Sequence, residues 1–334
     1  MLYSIKVNLL SVRFVANAKG GRLKRFNSMK NTHLQHPEDS ILTGDLSVLD
    51  WFLSNGKVSA KIDGAPAIVW GTNPATGKFF VGTKSVFNKK LIKINESHSD
   101  IDRNHSGNVA NILHHCFDCL PNFYGIVQGD FIGFGDDDTF CPNTITYIFD
   151  EIITQDIIVA PHTFYATSTG ELKDAFVVSD GDVFPMFDDT ELCKFVKPDC
   201  WEIDEDFDEI VAFARQMSTL CEFVTPKQSQ QIQQQLNSVI RAGLVIDELT
   251  QDALAFANQI DVNVLRLWSL VKSIKDDMLF LMRNNGPEAY INGKQCQGEG
   301  YVKSNEFGMF KLVNREVFSY ANFNSGLMVQ RGVA

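Results

Sequence analysis

Short apolar runs, many of them rich in β-branched residues, predict β-strands in the first part of the chain. The runs cover residues 3–15, 58–70, 78–86, 123–134, 144–149, 157–167 and 175–187. Between the second and third runs, residues 72–77 contain Asn, Pro and Gly and predict the turn of a hairpin. Residues 95–108 are polar and predict a loop.

Apolar residues spaced three and four positions apart predict α-helices elsewhere. These are expected at 46–53, 109–120, 207–218, 226–242, 250–260 and 262–282. Strands return at 299–304 and 307–312. The fold class predicted is α+β, divided into a basic segment with a helix (1–57), a strand-rich part (58–200), a helical insertion (201–286) and last strands (287–334).

The charge, hydropathy and cysteine content of the chain limit the kinds of protein that it can be. The 334 residues carry a net charge of −11, and no apolar run reaches the roughly 18 residues that span a membrane. Seven cysteines and the lack of a signal peptide favour a reducing cytoplasm, of the host if the protein is viral. Residues 1–30 hold seven cations and no acid, while residues 201–209 hold six acids, so a local phosphate-binding surface and simple solubilising charge are both open.

Two clusters of His and Cys suggest other chemistry. His33 and His36, ahead of Pro37, could bind metal or phosphate, but Pro followed by two acids is typical of a helix start, which we favour. His114 to Cys119 contains two His and a Cys-x-x-Cys pair. A structural zinc site needs a second ligand pair at a defined distance, and none is evident, so buried thiols are expected.

The strongest candidate for chemistry is Lys61-Ile62-Asp63-Gly64, where an apolar run meets a turn. A lysine amine is nucleophilic only when neutral, which a cleft with nearby cations favours. A four-residue pattern recurs by chance, so a solvated turn lysine is the ordinary interpretation.

Other predicted strand ends carry residues that would complete a nucleotide cleft. Lys84 and Lys311 could grip phosphates, and Asp130 and Glu299 could hold Mg²⁺ or a ribose. In this order the motifs resemble the covalent nucleotidyltransferase superfamily, the ATP-dependent ligases and capping enzymes, and above all phage-type RNA ligases. The segments concerned are Lys61–Gly64, Thr83-Lys84-Ser85, Gly129-Asp130, Glu299-Gly300-Tyr301-Val302 and Phe310-Lys311.

The resemblance implies an adenylation domain of two antiparallel sheets around an ATP cleft, with an inserted helical subdomain and no C-terminal OB-fold. It implies Lys61 as the nucleophile that forms a lysyl-AMP intermediate, with ATP and Mg²⁺ (or Mn²⁺) as cofactors. Glu299 and Asp130 are the expected metal ligands. The other nucleotide-binding residues it suggests are Asp63, Gly64, Lys84, Lys311 and an aromatic residue on the adenine, either Phe149 or Phe164.

Three positions depart from the family pattern. Asp130 replaces a Glu, Val313 replaces a second Lys of the last motif, and Pro66 stands where many DNA ligases have Arg. Only 23 residues follow Lys311, too few for an OB-fold, which favours an RNA ligase. The expected activity joins a 5′-phosphate to a 3′-hydroxyl of RNA or DNA, by a monomer without membrane contact. A GTP-using or DNA-specific nucleotidyltransferase, and a non-enzymatic nucleic-acid-binding protein with a degenerate cleft, remain alternatives.

Overall fold

The computed structural model describes residues 34–179, 187–318 and 320–321. The predicted strand at 3–15, the basic segment 1–30 and His33 lie outside these residues, as do residues 180–186 of the run 175–187. Within them, no helix is long and apolar enough to cross a lipid bilayer.

Eight α-helices have both ends within the described ranges. They are α1 (Pro37–Ser40), α2 (Ser47–Leu53), α3 (His98–Asn104), α4 (Gly107–Cys119), α5 (Asp208–Ser218), α6 (Pro226–Arg241), α7 (Glu248–Asn258) and α8 (Val262–Leu281). Residues 315–318 are also helical. The helices predicted from apolar spacing are confirmed to within two residues at each end, whereas the polar stretch 95–108 contains α3 and the start of α4, so its assignment as a loop was wrong.

The strands pair almost entirely antiparallel. They are β1 (Lys57–Lys61), β2 (Ala67–Thr72), β3 (Phe79–Gly82), β4 (Ile126–Phe134), β5 (Asp137–Phe140), β6 (Thr146–Ile153), β7 (Ile157–Thr167), β8 (Ala175–Ser179), β9 (Cys193–Phe195), β10 (Cys200–Glu202), β11 (Met282–Asn284), β12 (Glu288–Ile291), β13 (Lys294–Cys296), β14 (Gly300–Asn305) and β15 (Gly308–Leu312). The protein is therefore a mixed helical and antiparallel-strand structure.

Four sheets are formed by the described strands. The largest has the order β3-β2-β4-β7-β8, with β9 added parallel to β7. A four-stranded sheet has the order β13-β12-β6-β5, a three-stranded sheet the order β1-β14-β15, and β10 pairs with β11. The hairpin predicted around residues 72–77 is confirmed as β2–β3.

Each face of the largest sheet is covered. On one face α3 and α4 bury a cluster that includes Ile68, Trp70 and Leu113. On the opposite face part of the sheet packs against the four-stranded sheet, and Ile132 and Tyr147 belong to the core between them. The two sheets together form a layered body, as expected when each sheet must bury one apolar face against another element.

The three-stranded sheet lies on the helices rather than on the other sheets. Tyr301, Phe310 and Leu312 share a single apolar core with α2 and α5–α8, including the fully buried Trp268. The helices of the predicted insertion therefore support the sheet to which β1 belongs.

The apolar run 58–70 is divided between two sheets. β1 ends at Lys61 in the three-stranded sheet, and β2 begins at Ala67 in the largest sheet. The five residues between them, 62–66, form the turn that connects the two bodies. A break at Asp-Gly therefore separates two strands that do not pair with each other, which the apolar pattern alone does not show.

Candidate active site

Lys61 is the last residue of β1 and is held by the carboxylate of the residue that directly precedes the neighbouring strand, β14. It pairs with Gly300 in the antiparallel register, which places Glu299 beside it. The Lys61 Nζ donates a hydrogen bond to Glu299 Oε2. The lysine side chain is 33% exposed and that of Glu299 only 10%, so the amine is fixed but remains open to a ligand.

Lys311 lies on the same face of this sheet. It pairs with Val302 on β14, and both it and Lys61 lie opposite positions of β14 that are two residues apart. Since side chains on one face of a sheet recur every second residue, the two lysines share a face. Burial lowers the pKa of Lys311, and the nearby cations of Lys61 and Arg315 lower it further. The site thus contains crowded positive charge that an anionic ligand would relieve.

Asp63 occupies the turn after β1 and is fixed by two hydrogen bonds. Its backbone N–H donates to Tyr147 Oη at 2.7 Å, and Asn143 Nδ2 donates to Asp63 Oδ2 at 2.9 Å. Burial, with the negative charges of Glu299 and Asp130, raises the pKa of Asp63 to about 6. The structure therefore brings three predicted carboxylates within electrostatic reach of one another.

Gly64 sits where the turn touches β4. A Cβ atom there would lie 2.5 Å from the backbone oxygen of Phe131 and 3.0 Å from the Cβ of Asp130. The next N–H, that of Ala65, donates to the same Phe131 oxygen at 3.0 Å. This close approach requires glycine and fixes the turn against the strand that carries Asp130.

Asp130 faces a histidine on the neighbouring strand. Its Oδ1 lies 3.7 Å from His162 Nε2, and Gln128 Nε2 lies 3.3 Å from the same ring nitrogen. In the part of the chain that the structure describes, no three His, Cys, Asp or Glu side chains converge as a preformed metal site. Glu299 and Asp130 are thus near Asp63 but do not by themselves form a closed cage.

Lys84 is exposed and opens a short 3₁₀ helix (Lys84–Phe87) directly after β3. In the register of the sheet, Gly82 lies opposite Val69 and Ala67 lies opposite Asp130. Lys84 therefore follows β3 at the end of the sheet where Asp130 and the turn meet. The start of this short helix is capped by Thr83, whose hydroxyl accepts the N–H of Ser85 at 3.3 Å.

The two aromatic candidates occupy different places. Phe164 is 9% exposed and packs in the same core as Phe131, between the rings of Phe123 and Phe187. Since Asp130 and Phe131 are consecutive in β4, they point to opposite faces of the sheet. Phe164 is thus on the face away from Asp130, and the expectation that it stacks on a base does not fit its position.

Phe149 lies on the other side, in β6. It is half-buried and packs edge-on against Phe140, with a centroid separation of 5.7 Å. Two residues earlier on the same strand face, Tyr147 is buried against Asp63. Of the two aromatic candidates, Phe149 is therefore the one whose strand reaches the turn.

A cavity of about 310 Å³ opens beside Lys61. This volume is near the lower end of the range for small-molecule sites. Its walls come from β1, β6, β11–β14 and their connections, and its polar lining includes Lys61, Tyr147, Asn284, Glu288, Gln295 and Gln297. The lining combines the candidate nucleophile with amide and hydroxyl groups that could orient a ligand.

A larger cavity, of about 540 Å³, lies between α6 and α8 near Tyr320. Its lysine, Lys272, is hydrogen-bonded to Asp276 at 2.6 Å and lies 2.9 Å from Glu316. Two carboxylates thus pair with Lys272, whereas Glu299 alone pairs with Lys61. The smaller cavity, which also adjoins the predicted motif, is therefore the better candidate for an anionic ligand.

A buried charge network behind Lys311 is not evident from the sequence. Arg315 bonds both oxygens of Asp39, at 3.0 and 2.9 Å, and also Glu38 at 3.2 Å. Lys275 of α8 donates to the same Glu38 oxygen at 3.1 Å. These contacts join α1 and α8 to the residues that follow β15, and so they fix the chain just after Lys311.

His36 lies at the edge of this network. It precedes α1 without making a side-chain cap, and its Nδ1 lies 3.8 Å from Glu38. Burial lowers the pKa of His36, as do the cations of Arg315, Lys311, Lys275 and Lys61. The sequence interpretation of 36–39 as a helix start is confirmed, but its acids are buried partners of cations rather than solvated dipole partners.

Comparison with known proteins identifies a protein family but no individual relative. No curated protein and no solved structure matches the chain. One family model matches in two overlapping parts, residues 31–261 and 247–326, and so covers most of the chain. The protein belongs to this family, a family of unknown function designated DUF6267.

Proposed function

We propose that this protein is an ATP-dependent polynucleotide ligase of the RNA-ligase type, working through a lysyl-AMP intermediate. The observation that carries the proposal is the three-stranded sheet, on which Lys61, Glu299 and Lys311 meet from distant parts of the chain. The turn that contacts the strand of Asp130 supports it, and so does the cavity beside Lys61, although Lys61 is the one predicted site residue among its lining. In this proposal the antiparallel sheets form an adenylation domain around an ATP cleft, and α5–α8 are its helical subdomain.

The proposed first step is nucleophilic attack by Lys61 on the α-phosphorus of ATP. The new N–P bond forms as the bond to pyrophosphate breaks, and the proton that the amine loses passes to solvent, while Glu299 holds the amine in place by its hydrogen bond. Lys311 would contact phosphate oxygens and offset their negative charge. AMP then passes to a 5′-phosphate, and a 3′-hydroxyl displaces it to seal the strand.

The carboxylates of Asp63, Asp130 and Glu299 are suited to a magnesium ion because they repel one another. The raised pKa of Asp63 arises partly from Glu299 and Asp130, and a divalent cation near these carboxylates would relieve their repulsion. Mg²⁺ is commonly held by one or two carboxylates together with substrate phosphates rather than by a complete protein cage. Glu299 and Asp130 are the residues that would hold it, and the ion would offset charge on the phosphoryl oxygens.

One observation favours a second candidate function, that of a protein that binds nucleic acid but has no catalytic activity. Val313 takes the place of a second motif lysine, is 4% exposed, and its carbonyl accepts a bond from Lys275. That position therefore cannot present a cation to a phosphate. Lys311 is the remaining lysine of this motif.

The test is incubation with α-labelled ATP and Mg²⁺ followed by a denaturing gel. We expect a labelled protein band that Lys61→Arg abolishes, since arginine keeps the charge beside Glu299 but is not a nucleophile. Lys57→Ala, at the exposed start of the same strand, is the matched control and should retain the band. A band of full intensity in Lys61→Arg would refute the assignment.

The substrate is tested next with 5′-phosphorylated RNA, DNA and mixed strands, single and nicked. We expect joining of RNA ends and, in Lys61→Arg, no joining. Labelled GTP and NAD⁺ serve as competing donors. Binding of nucleic acid without an adduct from any donor would support the second candidate and exclude the ligase.

A further inference from the structure

A crossed pair of histidines and aspartates joins α3 to α4 on the outer side of the molecule. His98 Nδ1 and His114 Nδ1 lie 2.8 Å apart, and the two rings are nearly parallel with centroids separated by 5.1 Å. The remaining ring nitrogens each meet a carboxylate of the other helix. His98 Nε2 is 3.0 Å from Asp118 and His114 Nε2 is 3.1 Å from Asp102.

The sequence builds this arrangement from two equivalent segments. His98 and Asp102 are four residues apart on α3, and His114 and Asp118 are four residues apart on α4. Residues at this spacing share one face of a helix. Ile101 of α3 and Ile112 of α4 are buried in one core, which holds the two helices together, and Phe117 packs edge-on against the ring of His98 at 5.1 Å.

The facing nitrogens need a positive species between them. A carboxylate beside each Nε2 fixes the hydrogen of each neutral ring on that nitrogen, which leaves a lone pair on each Nδ1. Two lone pairs at 2.8 Å repel unless a proton or a metal ion lies between them. The nearest carboxylates, of Asp102 and Asp118, add negative charge at the same place, while Arg103 is paired with Asp100.

We infer that His98 and His114 form a binding site for a divalent transition metal ion such as Zn²⁺. A histidine whose second nitrogen donates to a carboxylate is the usual arrangement of a metal-binding imidazole. Two nitrogens at about 2.05 Å from a tetrahedral zinc ion lie about 3.3 Å apart, and their lone pairs converge on the ion. Here the Nδ1 atoms point toward each other, so the rings need to separate by about 0.5 Å and also to turn before both can bind one ion. Water completes the coordination, and imidazole ligands favour Zn²⁺, Cu²⁺ or Ni²⁺ over Mg²⁺.

This site is separate from the proposed ligase chemistry. It lies on the helices that cover the face of the large sheet opposite Asp130, and it uses nitrogen rather than oxygen ligands. A bound ion would fasten α3 to α4. Zinc binding at this site can therefore be tested independently of the proposed reaction with ATP.

The experiment is calorimetric titration of chelator-treated protein with ZnCl₂, with MgCl₂ as the contrasting cation. We expect one zinc ion per chain at this site, no comparable binding of Mg²⁺, and loss of the zinc isotherm in His98→Gln and in His114→Gln. Asp102→Asn should weaken zinc binding by about 10–100-fold, because it removes the carboxylate that orients a ligand. His115→Gln is the matched control, since His115 is exposed on α4 but packs against Phe134 instead.

A second measurement uses the unaltered protein. In ¹⁵N-histidine NMR spectra, zinc should shift the Nδ1 resonances of two histidines, and His98→Gln should remove both shifts. If the pair only shares a proton, zinc will leave these resonances in place, and the inference is overturned. Equal zinc binding by the wild type and His98→Gln would overturn it as well.

Discussion

Asp63 gives the most direct test of the carboxylate cluster, because its ionisation should cost stability. Burial and the charges of Glu299 and Asp130 raise the pKa of Asp63 from 3.8 to about 6. The ionised form is therefore penalised in the folded state relative to the unfolded state. The penalty is absent below pH 3.8, grows between pH 3.8 and 6, and is complete above pH 6.

The magnitude follows from this interval. At about 1.36 kcal/mol per pH unit, the difference between 3.8 and about 6 corresponds to about 3 kcal/mol. Asp63 is only partly buried, so solvent screening lowers the expected value to about 1–3 kcal/mol. Asp63→Asn removes the charge, and its amide oxygen can still accept the hydrogen bond from Asn143.

We expect Asp63→Asn to raise the free energy of unfolding by that amount at pH 7.5, and the gain should shrink toward zero near pH 4. Urea unfolding followed by tryptophan fluorescence measures both values. Glu151→Gln is the control for a general change in net charge, since Glu151 is exposed on β6. A variant no more stable than the wild type at pH 7.5 would refute the electrostatic reasoning. A gain in stability accompanied by loss of the labelled adduct would identify a carboxylate retained for function at a cost in stability.

Further changes probe the turn, the buried network and the second lysine. Gly64→Ala should destabilise the fold by about 1–3 kcal/mol in urea, because its new methyl group would overlap the backbone oxygen of Phe131. Arg315→Met should cost about 3–5 kcal/mol, since it leaves the buried carboxylate of Asp39 without its cation and that of Glu38 with Lys275 alone. Arg215→Met breaks a half-exposed pair and should cost less than about 1 kcal/mol in the same assay; equal losses would contradict the role of burial. Lys311→Met should slow adduct formation by about 10²-fold while the protein stays folded, and an unchanged rate would exclude phosphate contact.

The helices and the hairpin were predictable because their signals are local. Apolar spacing defined α4 to α8, and an Asn-Pro-Gly turn defined the β2–β3 hairpin. The helix α3 was missed because Ile101 is its only buried apolar residue. The sequence marks this helix by its N-cap residue and not by a periodic spacing of apolar residues. The side chain of Ser97 accepts a hydrogen bond from the N–H of Asp100.

The site was less accessible to sequence reasoning, because its pairings span most of the chain. The order of motifs suggested that Lys61 and Glu299 meet, but no local pattern specifies that β1 pairs with β14. The choice between Phe149 and Phe164 depended on which face of a sheet each residue occupies. Irregular register between β4 and β7, and again between β7 and β8, decides that face for Phe164, and sequence alternation does not show it.

The separation of 238 positions between Lys61 and Glu299 also has a consequence during translation. A ribosome adding about 5–20 residues per second needs about 10–50 s to pass from one to the other. Throughout that interval β1 lacks the strand that it pairs with in the finished structure, and the amine lacks its carboxylate. If Lys61 has the proposed role, nascent chains that end before residue 299 should be unable to react with a nucleotide. The proposed lysyl-AMP could then form only after Glu299 and β14 have been synthesised.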